Sequence, residues 1–376
     1  MIIELETTRE IVESRSISLY SQERPLLLEC GKTIARVNVV YETYGTLNEE
    51  GTNAVLICHA LTASAHAAGC HSRSDKKPGW WNAVIGPGMA FDTDRYFVIC
   101  PNILGSCYGT TGPTSTNPLT GQRYGTTFPP ITIRDIVTVQ KALLDALGIQ
   151  ELVTVCGSSL GGMQVLEWGV MFPEYCKSII PISTAAQQPA WCIGLNAAAR
   201  TAIKNDPAWN NGSYDVQPHR GLALARMIGM ISYRSVGEFE ERFARERTAD
   251  GDRFDAGNIF QLERYLQYQG DTFVDRFDAN TYLLLTHAMD YHDISVGRGP
   301  VMDVLSSILA RALVIGVSSD IRYPTNFQLA LSAQIPGATY ACIDSIHGHD
   351  AFLIEFDQLN NAIQQFLSKG HRDDFA

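Results

Sequence analysis

Hydrophobic residues along this chain fall into two textures. At 53–61 (NAVLICHAL), 95–102 (RYFVICPN), 151–157 (ELVTVCG) and 176–184 (CKSIIPIST) they form short, nearly unbroken runs. Strands covered on both faces of a parallel sheet read this way, because neither face has to be polar. Between these runs the spacing turns helical. The stretch 132–149 repeats apolar positions every three to four residues and stops at Gly148, and 161–173 predicts a second helix ending before Pro173. Upstream, PLLLECG and KTIARVNVVYETYG predict a hairpin with its turn at Gly31.

From about 185 to 297 helical spacing takes over, in ALARMIGMISY (223–233), VGEFEERFARER (236–247), NIFQLERYLQYQ (258–269) and TYLLLTHAMDY (281–291). Alternation then resumes with a strand at 311–320, a helix at 326–335, a strand at 338–345 and a last helix near 357–368. Strands alternating with helices predict an α/β protein with a mostly parallel central sheet flanked by helices. The late helical block reads as an inserted lid. The expected organisation is a core domain from 1–184 and 298–376, with a helical lid at 185–297.

Composition narrows the picture. The chain has 376 residues, 45% of them hydrophobic, enough for a large core. A formal net charge of −11 argues against a nucleic-acid partner, which needs a basic face. It leaves an anionic small molecule open, because a pocket can be locally basic. The nine cysteines are odd in number and scattered singly with no CxxC pair, which points to a reducing compartment. The opening MIIELETTREIVESRS has no basic segment leading into an apolar one, so no secretory signal is expected. No apolar run approaches the roughly 20 residues needed to cross a bilayer. The expectation is a soluble, cytoplasmic protein without a membrane partner.

Chemistry concentrates in VCGSSLGGMQ (155–164). Gly157 and Gly161 flank Ser159 at −2 and +2, whereas Ser158 has Cys156 at −2. A strand-to-helix turn that projects a serine oxygen needs small residues at those two positions, so Ser159 is the candidate nucleophile. The helix that follows adds partial positive charge where an oxyanion would develop. Such an elbow sets the chain order serine, then acid, then histidine. Asp320 closes the run RALVIGVSSD, and His347 and His349 follow in HGHD. Spacing does not choose between the two histidines. Asp344 lies too near them along the chain to come from a separate strand end. Backbone N–H groups of Leu61, in CHALT, and of Leu160 are the candidate oxyanion donors. His59 reads as a structural histidine at a strand end. HGHD lacks further metal ligands at useful spacing, and His59, His66 and His71 do not supply them, so no metal is expected.

Longer blocks carry a family resemblance. YETYGTLN (41–48), NAVLICHALT (53–62), KPGWWNAVIGPG (77–88), DTDRYFVICPNILGSCYGTTGPTSTNP (92–118), GSSLGGMQ (157–164), YLQYQGDTFVDRFDANTYL (265–283) and GHDAFL (348–353) run through nearly the whole chain. In these the protein resembles the homoserine O-acyltransferases of the α/β-hydrolase fold, and their acetyl-transferring branch most. The resemblance implies double displacement: Ser159 takes an acetyl group from acetyl-CoA, then yields it to the γ-hydroxyl of L-homoserine, a step of methionine biosynthesis. It selects His349 as the base. It implies Arg226 as ligand of the substrate carboxylate, Tyr233 as a further substrate contact and Asp350 at the ammonium group. It implies acyl-CoA as co-substrate, no bound cofactor, and a homodimer through the lid. The sequence departs from the family at Ser158 and Ala63, where glycine is usual, and Leu160 is a residue of succinyl-transferring members. A succinyl donor, a serine acceptor, or a hydrolase using the same triad are the alternatives.

Overall fold

The computed structural model describes residues 11–249, 254–255 and 257–370. Most of the opening stretch read as lacking a secretory signal, residues 1–10, lies outside them. Strands come first: β1 (Arg15–Leu19), β2 (Leu26–Leu27), β3 (Thr33–Ile34), β4 (Val37–Tyr44), β5 (Ala54–Cys58) and β6 (Phe97–Pro101). Then follow α1 (Ile133–Ala146), β7 (Leu152–Ser158), α2 (Leu160–Met171) and β8 (Ser178–Ile182). Between β8 and the next strand the chain is helical: α3 (Ala190–Lys204), α4 (His219–Tyr233), α5 (Val236–Arg242), α6 (Gln261–Val274), α7 (Ala279–Asp290) and α8 (Val301–Ser306). It closes with β9 (Arg311–Val317), α9 (Thr325–Gln334), β10 (Thr339–Ile343) and α10 (Phe356–Gly370).

Eight strands form one sheet in the order β1-β4-β6-β5-β7-β8-β9-β10. From β6 to β10 all neighbours are parallel, while β1 and β4 add an antiparallel edge. Every residue of β5 and β8 is buried, which explains their unbroken apolar sequence. One core cluster packs Leu143 of α1 and Val165 and Trp168 of α2 on one face. The other packs Leu359 and Ile363 of α10 with Trp81 and Phe91. Ten of the twelve residues of α2 are buried, so this helix is an internal strut rather than an amphipathic surface helix. α1 starts at a capping box in which Thr132 and Asp135 satisfy each other's backbone N–H groups.

Two N-terminal features differ from the pattern-based reading. The hairpin around Gly31 is only β2 with β3; its second arm breaks before Val37, and β4 joins the main sheet instead. β1 escapes detection because RSISL is an edge strand with little buried surface, so no apolar period marks it. Within the helical segment, α5 stops at Arg242, short of the predicted 247. Among the described residues no helix is long and apolar enough to cross a membrane, and all nine cysteines are free.

The sheet pinches where β5 meets the start of α2. A Cβ on Gly161 would lie 2.0 Å from the carbonyl oxygen of Cys58, and one on Gly157 would lie 2.6 Å from it. Backbone cannot yield there as a flexible side chain could. Gly161→Ala is therefore expected to destabilise the protein by about 3 kcal/mol, as overpacking does. Gly194→Ala, in α3 with nothing near the new methyl, should stabilise by about 0.5–1 kcal/mol. Chemical-denaturation midpoints of the two variants check the contrast.

Candidate active site

Ser159 occupies the turn between β7 and α2 with φ 57° and ψ −120°. A non-glycine residue there is strained, and neighbouring bonds hold it. Its N–H donates to the Ile182 carbonyl at 3.0 Å, and Thr184 Oγ1 donates to its carbonyl at 3.0 Å. The side chain borders a cavity of about 530 Å³. Its hydroxyl has no hydrogen-bond partner among the described residues. Ser158 is different: it is the last residue of β7, is 1% exposed, and its hydroxyl is buried without a partner among the described residues.

The acid and the base come from the ends of β9 and β10. Asp320 Oδ1 accepts from the N–H groups of Arg322 (2.8 Å) and Tyr323 (3.0 Å), and Oδ2 lies 2.7 Å from His349 Nδ1. Burial pushes the Asp320 carboxyl up, but His349 and the two N–H donors outweigh it and hold it below the usual value. An ionised carboxylate at Nδ1 fixes the imidazole proton there, leaving Nε2 as the acceptor. The ring is 2% exposed and stands among Tyr233, Tyr323 and Phe352, with centroids 5.4–6.1 Å away. Gly348, at φ 64°, packs its own backbone against the end of α4; a Cβ there would meet Arg234 and Ser235 backbone at 2.7 Å. Thus the histidine is set against the helix that carries Tyr233.

The competitors fall away by position. His347 Nδ1 lies 3.4 Å from Glu238, and exposed Asp344 accepts from Ser318. His59 is a strand-end bolt. Its Nε2 accepts from the Ile103 N–H and its Nδ1 contacts the Ala60 carbonyl. Full burial lowers its pKa to about 4, so it is neutral.

Leu61 lines the cavity beside Ser159, and Leu160 opens α2, whose first N–H groups have no acceptor within the helix. Neither the Leu61 nor the Leu160 N–H donates to a protein group among the described residues. Arg226, Tyr233 and Asp350 line the same cavity. Arg226 stacks over Tyr233 (5.4 Å) and Phe273 (5.1 Å) and has no carboxylate partner among the described residues. Asp350 Oδ2 lies 3.4 Å from Arg234 Nη2. Burial raises its pKa against the pull of Arg234, Arg226 and His349.

Sequence reasoning missed other lining groups: Lys77, Trp80, Tyr108 and Arg276. Arg276 Nη1 donates to the Thr62 carbonyl (2.8 Å) and to Tyr108 Oη (2.7 Å), tying the segment after α6 to the loop after β5. Lys77, Trp80 and Arg276 lie in the blocks KPGWW and FVDRFDAN, but their convergence is tertiary and no local spacing reveals it.

A mostly parallel sheet that presents serine, aspartate and histidine, in that chain order, at its C-terminal strand ends defines an α/β hydrolase with a serine nucleophile motif. A family model described as the alpha/beta hydrolase fold matches residues 53–355. Homoserine O-acetyltransferase from Carboxydothermus hydrogenoformans is 49% identical over 365 residues, 95% of each chain. The crystal structure of homoserine O-acetyltransferase from Bacillus anthracis matches with TM-score 0.89 and 31% identity, covering 95% of this chain and 98% of that one. Esterase E22 matches with TM-score 0.87 and 32% identity, covering 95% and 100%. The chain belongs to the homoserine O-acetyltransferase family of the α/β hydrolase fold.

A serine-directed fluorophosphonate should label the protein, and peptide mapping should place the adduct on Ser159. Ser159→Ala should abolish labelling. Ser158→Ala should keep it and raise stability by about 1 kcal/mol, because a buried hydroxyl without a partner is lost. Labelling that persists in Ser159→Ala would contradict the assignment.

Proposed function

We propose that the protein transfers an acetyl group from acetyl-CoA to the γ-hydroxyl of L-homoserine through an acyl-Ser159 intermediate, supplying an activated ester for methionine biosynthesis. The observation that carries this reading is the shared cavity: Ser159, His349 and Arg226 border one space. Ser159 Oγ attacks the thioester carbonyl while His349 Nε2 takes its proton. Asp320 stabilises the imidazolium. N–H groups of Leu61 and Leu160 receive the oxyanion. The tetrahedral intermediate collapses, and the coenzyme thiolate leaves with the proton from His349. The homoserine hydroxyl then attacks the acyl carbonyl, gives its proton to His349, and the proton returns to Ser159 Oγ as the ester departs.

The acceptor is a zwitterion. Arg226, a guanidinium without an acid partner among the described residues, suits its carboxylate, and Asp350 suits its ammonium group. The Arg226 and Arg322 guanidinium carbons lie 5.4 and 5.1 Å from the Tyr233 ring, which supports Tyr233 as a further contact of the acceptor. Supporting a cytoplasmic setting, all nine cysteines are unpaired. A dimer through the helical segment is supported by exposed Leu224, Ile231 and Val236 on α4 and α5. The likeness to esterase E22 keeps hydrolysis as a second reading, in which water replaces homoserine at the acyl-enzyme.

Steady-state kinetics with acetyl-CoA and homoserine should give parallel double-reciprocal lines. Asp320→Asn should lower kcat by about 10⁴, as expected when the histidine tautomer is no longer set. Arg226→Met should raise the homoserine KM ~10- to 100-fold, the loss of a charged hydrogen-bond partner. Succinyl-CoA and serine, run in parallel, test donor and acceptor choice. Release of acetate with no acetylhomoserine formed would replace this reading with the hydrolase.

The raised pKa of Asp350 adds a pH signature. It protonates at higher pH than an ordinary carboxyl, so its hold on the ammonium group is present above that pKa and lost as pH falls. The homoserine KM should therefore rise on acidification at a higher pH than an ordinary carboxyl would cause. Asp350→Asn should have the high KM at neutral pH and lose that limb.

A further inference from the structure

Outside the acyl-transfer machinery, the structure gathers a cluster that the sequence did not disclose. Glu42 of β4 is 1% exposed, yet both its oxygens are engaged by imidazoles. Oε2 lies 2.9 Å from His66 Nδ1, and Oε1 lies 2.8 Å from His71 Nε2. The two histidine rings lie 4.0 Å apart. All three ligand-type atoms lie within 4.8 Å of one another. Ser14 Oγ donates to Oε1 at 2.8 Å and Tyr44 Oη to Oε2 at 3.1 Å, fixing the carboxylate from behind.

We propose that Glu42, His66 and His71 form a binding site for a divalent transition metal of the zinc type. Two imidazoles and one carboxylate are the donor set of an open zinc site, with a fourth position left for water. Zinc bonds of about 2.0–2.1 Å place tetrahedral ligands roughly 3.3 Å apart, so the two Glu42–imidazole contacts need to widen by about half an ångström while separations of up to 4.8 Å within the cluster close onto the ion. The metal takes the place of the two protons that bridge the imidazoles to the carboxylate. Each ring then carries its proton on the other nitrogen, His66 Nε2 and His71 Nδ1, or releases it to solvent if the ring was charged. The hydroxyls of Ser14 and Tyr44 are the outer partners that such a carboxylate requires. Entry is open, because the His71 side chain is 50% exposed.

The position gives the site a consequence. His66 also lines the cavity that holds Ser159. A bound ion would clamp β4 to the loop after β5, the loop that carries Leu61. The geometry points to a metal that stiffens one wall of the cavity and takes no part in the reaction.

The test uses full-length protein with Cys30→Ser and Cys342→Ser, which removes the two exposed thiols as competing ligands. Titration with zinc chloride, followed calorimetrically, should give one equivalent bound. Cobalt(II) should give a visible ligand-field band without a sulfur charge-transfer band. Glu42→Gln risks the fold, because Glu42 is buried and accepts four hydrogen bonds. His71→Ala changes a half-exposed side chain and should keep the fold, read by circular dichroism, while lowering zinc affinity at least tenfold. Absence of zinc binding in the Cys30→Ser/Cys342→Ser background, or binding unchanged in both His71→Ala and His66→Ala, overturns the proposal.

Discussion

The site rests on one close approach, the Cys58 carbonyl lying against the glycines that flank Ser159. It brings the end of β5 onto the start of α2, so the loop bearing Leu61 and the helix bearing Leu160 begin side by side. His59 extends the same joint sideways. Held neutral by burial, it accepts from the Ile103 N–H and pins the end of β5 to the chain leaving β6. On the other side Ile182 and Thr184 hold the Ser159 backbone in its positive-φ turn. The strain of that turn is local, and neighbouring strands supply the bonds that maintain it.

Charge is arranged against the overall balance of the chain. The protein carries a formal net charge of −11, yet Arg226, Arg276 and Lys77 border the cavity with Asp350 as its one carboxylate among the described residues. Asp350 belongs to a chain of contacts: Arg234 bridges it to Glu238, and Glu238 in turn receives Arg242. Arg226 is spared from that network and stacks on rings instead. A guanidinium packed on aromatic faces keeps its hydrogen-bonding fork available for a planar anion. The local field therefore favours an anionic group at one end of the cavity and a cation near His349.

The framework was legible where burial imposes a simple period. Fully buried β5, β7 and β8 betray themselves as apolar runs, and the glycine frame distinguishes Ser159 from Ser158. What stayed hidden depends on tertiary convergence. Glu42 lies 24 and 29 residues from its two histidines, and Arg276 reaches a loop more than 200 residues earlier. Asp320 was legible as a strand-end acid, but spacing left His347 and His349 open and only the family resemblance chose His349; in the structure Asp320 meets His349 at 2.7 Å while His347 faces Glu238. Ser158, unexpected by family pattern, lies in the interior with an unpaired hydroxyl; the structure gives no functional account of it.

Whether an acyl-enzyme passes its group to an alcohol or to water is not decided by the triad, because the base serves both. It depends on which hydroxyl is held over the acyl carbon. Homoserine offers two charged handles that water lacks. Asp350 is the residue next to His349, and Arg226 packs on Tyr233, whose ring lies 6.1 Å from that same imidazole. On the proposed reading, a zwitterion spanning Arg226 and Asp350 lies in the cavity that His349 also lines. Holding a reactant in this way converts a bimolecular encounter into an effectively intramolecular one, an advantage that a diffusing water molecule cannot share. On that proposed reading, selectivity for transfer is a property of the helical segment, which contributes Arg226 and Tyr233, while the strand ends contribute Ser159, Asp320 and His349.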